Sequence, residues 1–430
     1  MKKLLNQYDV IVVGGGTAGC AAAYNCGKLG LKTLLIEKNI HLGGTITSAL
    51  VVPAMKSADK QINTDFFNAL VSELTDLKGQ VTYMENKGWF NPELTKIALD
   101  RLMAKALVDV VFDTRVIDVN IIDSELKSVT ILSNMLSVCI WAKYIVDATG
   151  NCEIGKISGC EFLENTNDSV NKFQPVSLRF EMAGVNLKKA GKWLLDFDDD
   201  RNTTTSYVID KQTHFSTAYS WDNDKKWALE PLIEDAVAKG VLENTDRNYF
   251  QVFTIPGMPT TVAFNCPRVY FTNEIDPLDN IQVSNALTKA RESIIRLANF
   301  CKIYLPGFEN SYISNIADAL GVRVSRRIKG KYVYTVDDLK SGKKFGNPVV
   351  ISNYPIDIHS NVKGKSVLKH VCVDYQLPIE SLISNDFDNL FVAGRCLSAD
   401  FCAQAALRIQ PSCFSMGEGV AKHIAAKIKH

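Results

Sequence analysis

Apolar runs of strand length alternate with helix-length stretches of small or mixed residues from residue 8 onward. Tyr8-Asp-Val-Ile-Val-Val13 is β-branched and nearly all apolar, the pattern of a strand buried on both faces. It runs into Gly14-Gly15-Gly16-Thr17-Ala18-Gly19, then into small residues from Cys20 to Asn25 that predict a helix pressed on a sheet. Leu31 to Ile36 predicts a second buried strand, closed by Glu37, which completes a βαβ unit. Asn91-Pro92-Glu93 offers an N-cap, a first-turn proline and an early acid, opening a helix through about Leu107. Four strand-like runs follow, around Val110–Phe112, Arg115–Ile121, Ser128–Leu132 and Val138–Val146. They predict a meander leading back to a core strand that ends at Asp147-Ala148-Thr149-Gly150.

Between about residues 165 and 345 the pattern changes. It holds an alternating strand over Val176–Met182, an acidic loop from Asp196 to Asp200, and a helix from about Val283 to Cys301. The tail returns to the earlier style, with a buried strand at Asn389–Ala393, a turn at Gly394-Arg395 and a helix from Pro411 to Lys427. The expected fold is α/β: a Rossmann-like dinucleotide-binding domain with a β-meander (residues 1–164 and 346–430) and an inserted α+β cap domain (165–345) for substrate.

Composition narrows the function. Forty-eight Lys and Arg against 47 Asp and Glu give a net charge of +1 over 430 residues. That balance argues against an electrostatic grip on nucleic acid or on an anionic membrane. An apolar share of 46% with 22% charged residues is ordinary globular usage. No apolar run approaches the ~20 residues that span a bilayer. Tyr8 and Asp9 interrupt the stretch after Lys2-Lys3, so a signal peptide is not expected. Eleven scattered cysteines, an odd number without a CxxC, point to reduced thiols in a cytoplasmic protein rather than to a metal or haem site.

Gly14-x-Gly16-x-x-Gly19, with a buried strand before it, a helix after it and Glu37 beyond, is a dinucleotide fingerprint in its full context. The helix N-terminus supplies N–H groups and a positive dipole end to a pyrophosphate, and Glu37 suits ribose hydroxyls while repelling a 2′-phosphate. Gly43-Gly44-Thr45 forms a second glycine turn close behind the acid, and Asp147-Ala148-Thr149-Gly150 resembles the segment that closes over the adenine end of FAD. Phe391-Val-Ala-Gly394-Arg395 resembles the strand and turn beneath a flavin, and a helix starting near Pro411-Ser412 would aim its N–H groups at the flavin O2/N1 edge. Non-covalent FAD is the expected cofactor, with no metal.

With these segments in order, the chain resembles bacterial FAD-dependent oxidoreductases of the glutathione-reductase-like superfamily, laid out as in fumarate reductase and succinate dehydrogenase flavoproteins. The resemblance extends to Leu320-Gly-Val-Arg323-Val324-Ser-Arg326-Arg327-Ile-Lys-Gly-Lys-Tyr332 and Tyr354-Pro-Ile-Asp357-Ile-His359. It also takes in Tyr375 with Pro378, and Leu407-Arg408-Ile-Gln-Pro411. It implies FAD contacts at Gly14, Gly16, Gly19, Glu37, Gly44, Thr45, Val116, Ala148, Thr149, Gly150, Gly394 and Arg395. Thr17, Ala18, Lys38, Gly43, Pro411 and Ser412 complete the expected cofactor set. Val324 departs from the polar or acidic residue that members often carry.

No second GxGxxG and no redox CxxC occur, so a disulfide-reductase mechanism is not expected. Arg408, Tyr375, His359, Arg323 and Arg326 are the catalytic candidates. Arginines suit a bidentate grip on a carboxylate, and histidine suits proton transfer. Cys413 reads as a buried thiol, and His41 is too close to the pyrophosphate turn for a covalent flavin link. The expected function is hydride transfer between flavin N5 and a small organic substrate held between the domains, with the electron donor or acceptor and the oligomeric state open. A non-redox hydratase or isomerase using FAD, or a flavoprotein subunit of an electron-transfer complex, remains an alternative.

Overall fold

The computed structural model describes the chain except residues 1–3, 59, 164–172, 199–203, 221–227, 270–275, 360–366 and 430. The first apolar run forms β1 (Gln7–Val13), the glycine turn leads into α1 (Thr17–Lys28), and β2 (Thr33–Ile36) follows. β1 and β2 pair in parallel from Val10 with Thr33 to Val13 with Ile36. Val10, Ile11 and Val12 are fully buried, as a central parallel strand requires. Beyond a helix at Asp65–Asp76 and a hairpin of Gln80–Tyr83 with Asn86–Phe90, α2 (Pro92–Lys105) starts where its cap predicts, the Asn91 side chain accepting the N–H groups of Glu93 and Leu94.

After α2 the structure departs from the sequence expectation. β3 (Asp109–Val111) is not the first strand of the meander but pairs in parallel with β2 on the outer edge of the sheet. The long connection from β2, which ends in α2, crosses back and returns the chain parallel to β2, and that crossover outweighs the closeness of the next hairpin. The meander is three strands, β4 (Arg115–Ile122), β5 (Glu125–Ser133) and β6 (Leu136–Asp147). β6 serves twice. Its first half pairs antiparallel with β5, and its second half pairs in parallel with β1, from Trp141 to Asp147.

The inserted unit has its own core. Six antiparallel strands lie in the order β8-β9-β10-β11-β7-β12: β7 (Phe180–Ala183), β8 (Thr204–Ile209), β9 (Gln212–Ser220), β10 (Tyr249–Thr254), β11 (Val262–Phe264) and β12 (Tyr312–Ile316). Phe180 stacks on Phe264 at 4.3 Å, and α3 (Asn280–Tyr304) lays Ala286, Ala290, Ile294 and Leu297 into the same core. Val176–Met182 is broken rather than continuous, because Val176–Ser177 pairs with Arg268–Val269 while β7 joins the large sheet. The acidic loop is also displaced. Asp196 belongs to a helix over Leu187–Phe197, whose apolar Leu187, Ala190 and Leu194 recur at helical spacing. Asp198 is buried and accepts the Thr204 N–H at 2.7 Å, while Asp199 and Asp200 lie outside the described residues. The second core ends at Ala317, and Ile328, Tyr334 and Leu339 pack into the first, so the chain re-enters the larger lobe before residue 345.

Glu181, on β7, is 4% exposed, and its Oε1 has no hydrogen-bond partner. Burial pushes its carboxyl up to about 7, against a weak Asn315 contact at 3.4 Å. A carboxyl raised in the folded state destabilises the fold as pH climbs from the unfolded value near 4.5 through 7, and costs nothing below that window. Glu181→Gln should therefore gain roughly 1–3 kcal/mol at pH 8 and almost nothing at pH 4.5, read from urea denaturation at the two pH values. Equal gains at both would remove the buried-carboxylate explanation.

The tail closes the larger lobe. β13 (Leu390–Val392) lies in parallel on the other side of β6, Val392 beside Asp147, giving the parallel order β3-β2-β1-β6-β13. A short α4 (Phe401–Leu407) and a long α5 (Gln410–Lys429) follow, and α5 packs closely along α1, Gly417 lying against the Ala18 carbonyl.

Candidate functional site

The carboxyl ends of four parallel strands meet at one edge, the position where open α/β sheets bind ligands. There the Gly14 N–H donates to Ile36 O and the Ala148 N–H to Val13 O, each at 2.8 Å, and the Ala393 N–H donates to Asp147 O at 3.1 Å. Gly14 has φ +97°, and a Cβ on it would lie 2.6 Å from the Ala148 carbonyl oxygen. Only glycine makes this turn. The second glycine turn packs directly on the first: Gly43 N–H donates to Gly15 O at 2.8 Å, and Gly44 approaches Gly16 so closely that a Cβ would sit 2.8 Å from its Cα. Gly16 is the N-cap of α1 and provides no side-chain cap, so the first N–H groups of the helix are left to an outside acceptor beside the two turns. Thr17, the first residue of α1, is buried with its Oγ1 unpartnered. Thr45 is half-buried and follows in the same loop.

Glu37 is 5% exposed and turns onto the first turn, accepting Gly15 N–H at 2.6 Å and Asn39 N–H at 2.8 Å. Burial raises its carboxyl above the usual range, the two N–H donors working against that shift. Lys38 points the other way, to Glu153 at 3.2 Å on the surface. Asp147 is wholly buried and braces the segment after it, accepting from Thr149 Oγ1 at 2.7 Å and Gly155 N–H at 3.0 Å. The helix at Glu153–Ile157 packs on β4, which carries the half-buried Val116.

The other end is built by the tail. Gly394, at φ +82°, rests against Ala18 of α1. The Arg395 guanidinium lies against Gly150, and it donates to Val322 O and to Asn151 Oδ1. Pro411 and Ser412 are buried in the first turn of α5, and Ser412 Oγ has no partner. Cys413 is also buried, its thiol pushed up to about 12 by burial and its Sγ 3.4 Å from Arg408 O, so it behaves as a packing residue.

The catalytic candidates separate into two groups. His359 Nε2 stands 3.3 Å and Arg408 Nη2 3.2 Å from Asp357 Oδ2, so one carboxylate joins them. Arg323 belongs to the same neighbourhood, where it donates to Pro175 O and interacts electrostatically with Arg408 and Asp357. Burial works to raise the Asp357 carboxyl, but His359, Arg408 and Arg323 outweigh it and hold it well below the ordinary range. Burial, reinforced by Arg268 and Arg323, lowers His359 far below a normal imidazole, so its ring is neutral at pH 7. Arg326 stands apart, with Nη1 3.3 Å from Asn151 O, and Arg327 donates to Ala399 O at 2.6 Å. Tyr375 is fully buried and donates to Tyr354 O at 2.9 Å, which spends its hydroxyl on the backbone. Val324 is buried.

Sequence reading missed Asp357 as the hub, together with Arg179, Arg268, Tyr249 and Gln174. The Arg268 guanidinium sits 3.5 Å over the Tyr249 ring, and Gln174 Oε1 accepts the His359 N–H at 3.1 Å. Arg179 and Arg268 each interrupt an apolar stretch, and a charge inside a buried strand was the available signal.

The groove fits FAD on this chain's own observations. Two orphaned hydroxyls, Thr17 Oγ1 at one end and Ser412 Oγ at the other, flank an uncapped helix start and a glycine cradle without side chains. Among the described residues no group of His, Cys, Asp and Glu is placed to hold a metal ion, and no helix is long and apolar enough to cross a membrane.

Comparison with known proteins agrees in kind. The family described as FAD dependent oxidoreductase matches residues 9–430. Digeranylgeranylglycerophospholipid reductase of Methanococcus vannielii is 38% identical over 71 residues, 16% of this chain and 18% of that protein. Dihydrolipoyl dehydrogenase of Trypanosoma brucei brucei is 47% identical over 51 residues, 12% of this chain and 11% of that one. The chain thus matches less than a fifth of the length of these curated relatives. Among solved structures, a geranylgeranyl bacteriochlorophyll reductase-like protein from Thermoplasma acidophilum aligns over 98% of this chain and 79% of its own, at 17% identity and TM-score 0.46. A flavin-dependent brominase aligns over 98% and 80%, at 13% identity and TM-score 0.48.

Proposed function

We propose, since the chain belongs to the family of FAD-dependent oxidoreductases, that it moves a hydride between FAD and a small organic substrate held where the inserted unit meets the larger lobe. Bound FAD supplies a two-electron hydride acceptor or donor. The observation that carries the reading is the continuity of two features: Gly394 lies against Ala18 of α1 on one side and Cys413 at the start of α5 on the other, and five residues before Cys413 Arg408 opens the charged group around Asp357. Gly14, Gly16, Thr17, Gly43 and Gly44 would hold the diphosphate. Glu37, Val116 and Ala148 would border the adenosine, with Gly394, Arg395, Pro411 and Ser412 at the ring end. The order of these segments also supports placing the chain in the glutathione-reductase-like superfamily, with the inserted unit, which ends near Ala317, contributing the cap.

The chain's own part is to orient substrate and handle one proton. Arg408, anchored by Asp357, positions a substrate oxygen. His359 is the proton partner: a neutral ring that donates Nε2–H to Asp357 carries its lone pair on Nδ1. Substrate oxidation then breaks a C–H bond, whose hydrogen leaves as hydride, and an O–H or N–H bond, whose proton goes to Nδ1. Reduction runs both transfers backward. Tyr375 and Arg326, each bonded to a backbone carbonyl, are assigned here to support of the backbone rather than to the reacting atoms.

The test is anaerobic. Purified protein should be yellow, release one FAD per chain on heating, and bleach with at least one compound in a metabolite panel, leaving one equivalent of oxidised product. Turnover of substrate to an isomer or hydrate, with the flavin unbleached throughout, would replace hydride transfer with a non-redox use of FAD.

A further inference from the structure

Four arginines converge beside the proposed reaction site, three of them from segments without a role so far. Arg179, Arg268 and Arg323 are 8%, 6% and 8% exposed, and the Arg408 side chain 13%. Strand pairing brings them together: Arg268 lies opposite Ser177, and Ser177 is bridged to Gly321, two residues before Arg323. Arg408 arrives from the other lobe through Asp357. Among the described residues Asp357 sets one negative charge against four positive ones. Neutral His359 adds none.

Donors outnumber acceptors among the unpaired atoms around this group. Arg179 Nε, Arg268 Nε and Nη2, Arg408 Nε and Gln174 Nε2 are buried donors without a partner, against the acceptors Gln404 Oε1 and Asn265 Oδ1, while Arg179 Nη1 donates to Leu50 O and Val52 O. Buried donors that lack acceptors, and buried cations that lack counter-charge, each cost free energy in the folded state. Water satisfies donors but supplies no charge. Burial and mutual repulsion also depress Arg179, to about 10, and Arg323.

The geometry points to a small organic dianion, a dicarboxylate or a phosphorylated acid, as the substrate, its oxygens taken by Arg179, Arg268 and Arg408 with Arg323 behind them. Planar guanidinium forks suit both carboxylate and phosphate oxygens. The inference rests on the cleft being the substrate site, and it couples charge to chemistry: an anion beside His359 offsets Arg268 and Arg323 and makes the imidazole a better base.

Succinate, malonate and inorganic phosphate are the probes, with succinamide as the uncharged counterpart of succinate. Each is titrated into the FAD-loaded protein while the thermal midpoint and flavin difference spectrum are followed, and the midpoint is read on FAD-free protein too. At least one anion should raise the midpoint saturably and less so in high salt, while succinamide does nothing. Saturation by a dicarboxylate selects the first source of the dianion, and saturation by phosphate alone selects the second. Arg268→Met should weaken the binding about tenfold or more, with Arg268→Lys intermediate. If Arg268→Met does not fold, Arg179→Gln replaces it with the same readout. The inference is overturned if no anion saturates, meaning that water alone fills the site, or if succinamide binds as well as succinate. Failure with FAD still bound removes only this inference. Protein that takes up no FAD removes the reading beneath it, and the FAD-free titration still decides the anion.

Discussion

Gly16→Val should give a folded, colourless protein. The backbone at Gly16 has φ −76° and ψ −170°, an extended conformation that valine adopts readily. A Cβ there meets nothing closer than Gly44 Cα at 3.9 Å. The side chain therefore enters the open space in front of the turn without disturbing it, and its methyl groups stand where a diphosphate at the start of α1 would lie. FAD affinity should fall by at least about a hundredfold, roughly 2.7 kcal/mol, with the ligand-free thermal midpoint close to wild type. Gly14→Val is the contrasting variant. Its φ of +97° and the Ala148 carbonyl at 2.6 Å penalise the fold itself, so it should be destabilised whether or not FAD is present. Flavin fluorescence titration and thermal melts of the two variants separate the effects. Retention of FAD by Gly16→Val would move the cofactor out of this groove.

Asp357→Asn should be the most damaging single change outside the glycine turns. The carboxylate holds Arg408 and His359 directly, and its charge offsets Arg323. Removing one partner of a buried ionic group leaves the others uncompensated, which costs about 3–5 kcal/mol. The pH dependence follows from the depressed carboxyl. Its stabilisation is complete above the unfolded value near 3.9 and is lost as pH falls toward the lower folded value. His359 adds to the acid sensitivity. An imidazole held below 6.5 in the fold takes up a proton more readily when unfolded, so stability falls as pH drops below about 6.5. Wild type should lose this part of its stability on acidification, and Asp357→Asn should lack the carboxylate share of it. Adding Arg268→Met to Asp357→Asn should recover part of the loss, because one cation fewer is left unpaired. A double-mutant cycle by urea denaturation measures that coupling. Strict additivity would mean that Arg268 and Asp357 do not share a site.

The parts of this account that were legible in sequence are the ones carried by neighbours along the chain. The first βαβ unit, the Asn91 cap and the strand ending at Asp147 each depend on a few consecutive residues whose conformational demands are local. β3 was misplaced because a three-residue apolar strand looks the same whether it pairs in parallel or antiparallel, and only the helix before it decides. Val176–Met182 was read as one strand because alternation does not reveal a change of sheet at Leu178. The arginine group shows the deeper reason. Arg179, Arg268, Arg323 and Arg408 come from four separate segments, and no spacing rule connects them. Asp357 stood inside a quoted motif, yet its role depends on Arg408, 51 residues later. Charges buried within apolar strands were visible in the sequence, but what they face is set by tertiary packing.

A crystal structure of the FAD-loaded protein tests the central claim most directly. The diphosphate should lie over Gly16 and the first N–H groups of α1, and the isoalloxazine between Ser412 and Arg408. Density for FAD elsewhere, or this chain's own side chains filling the space over Gly16 and the start of α1, would contradict it.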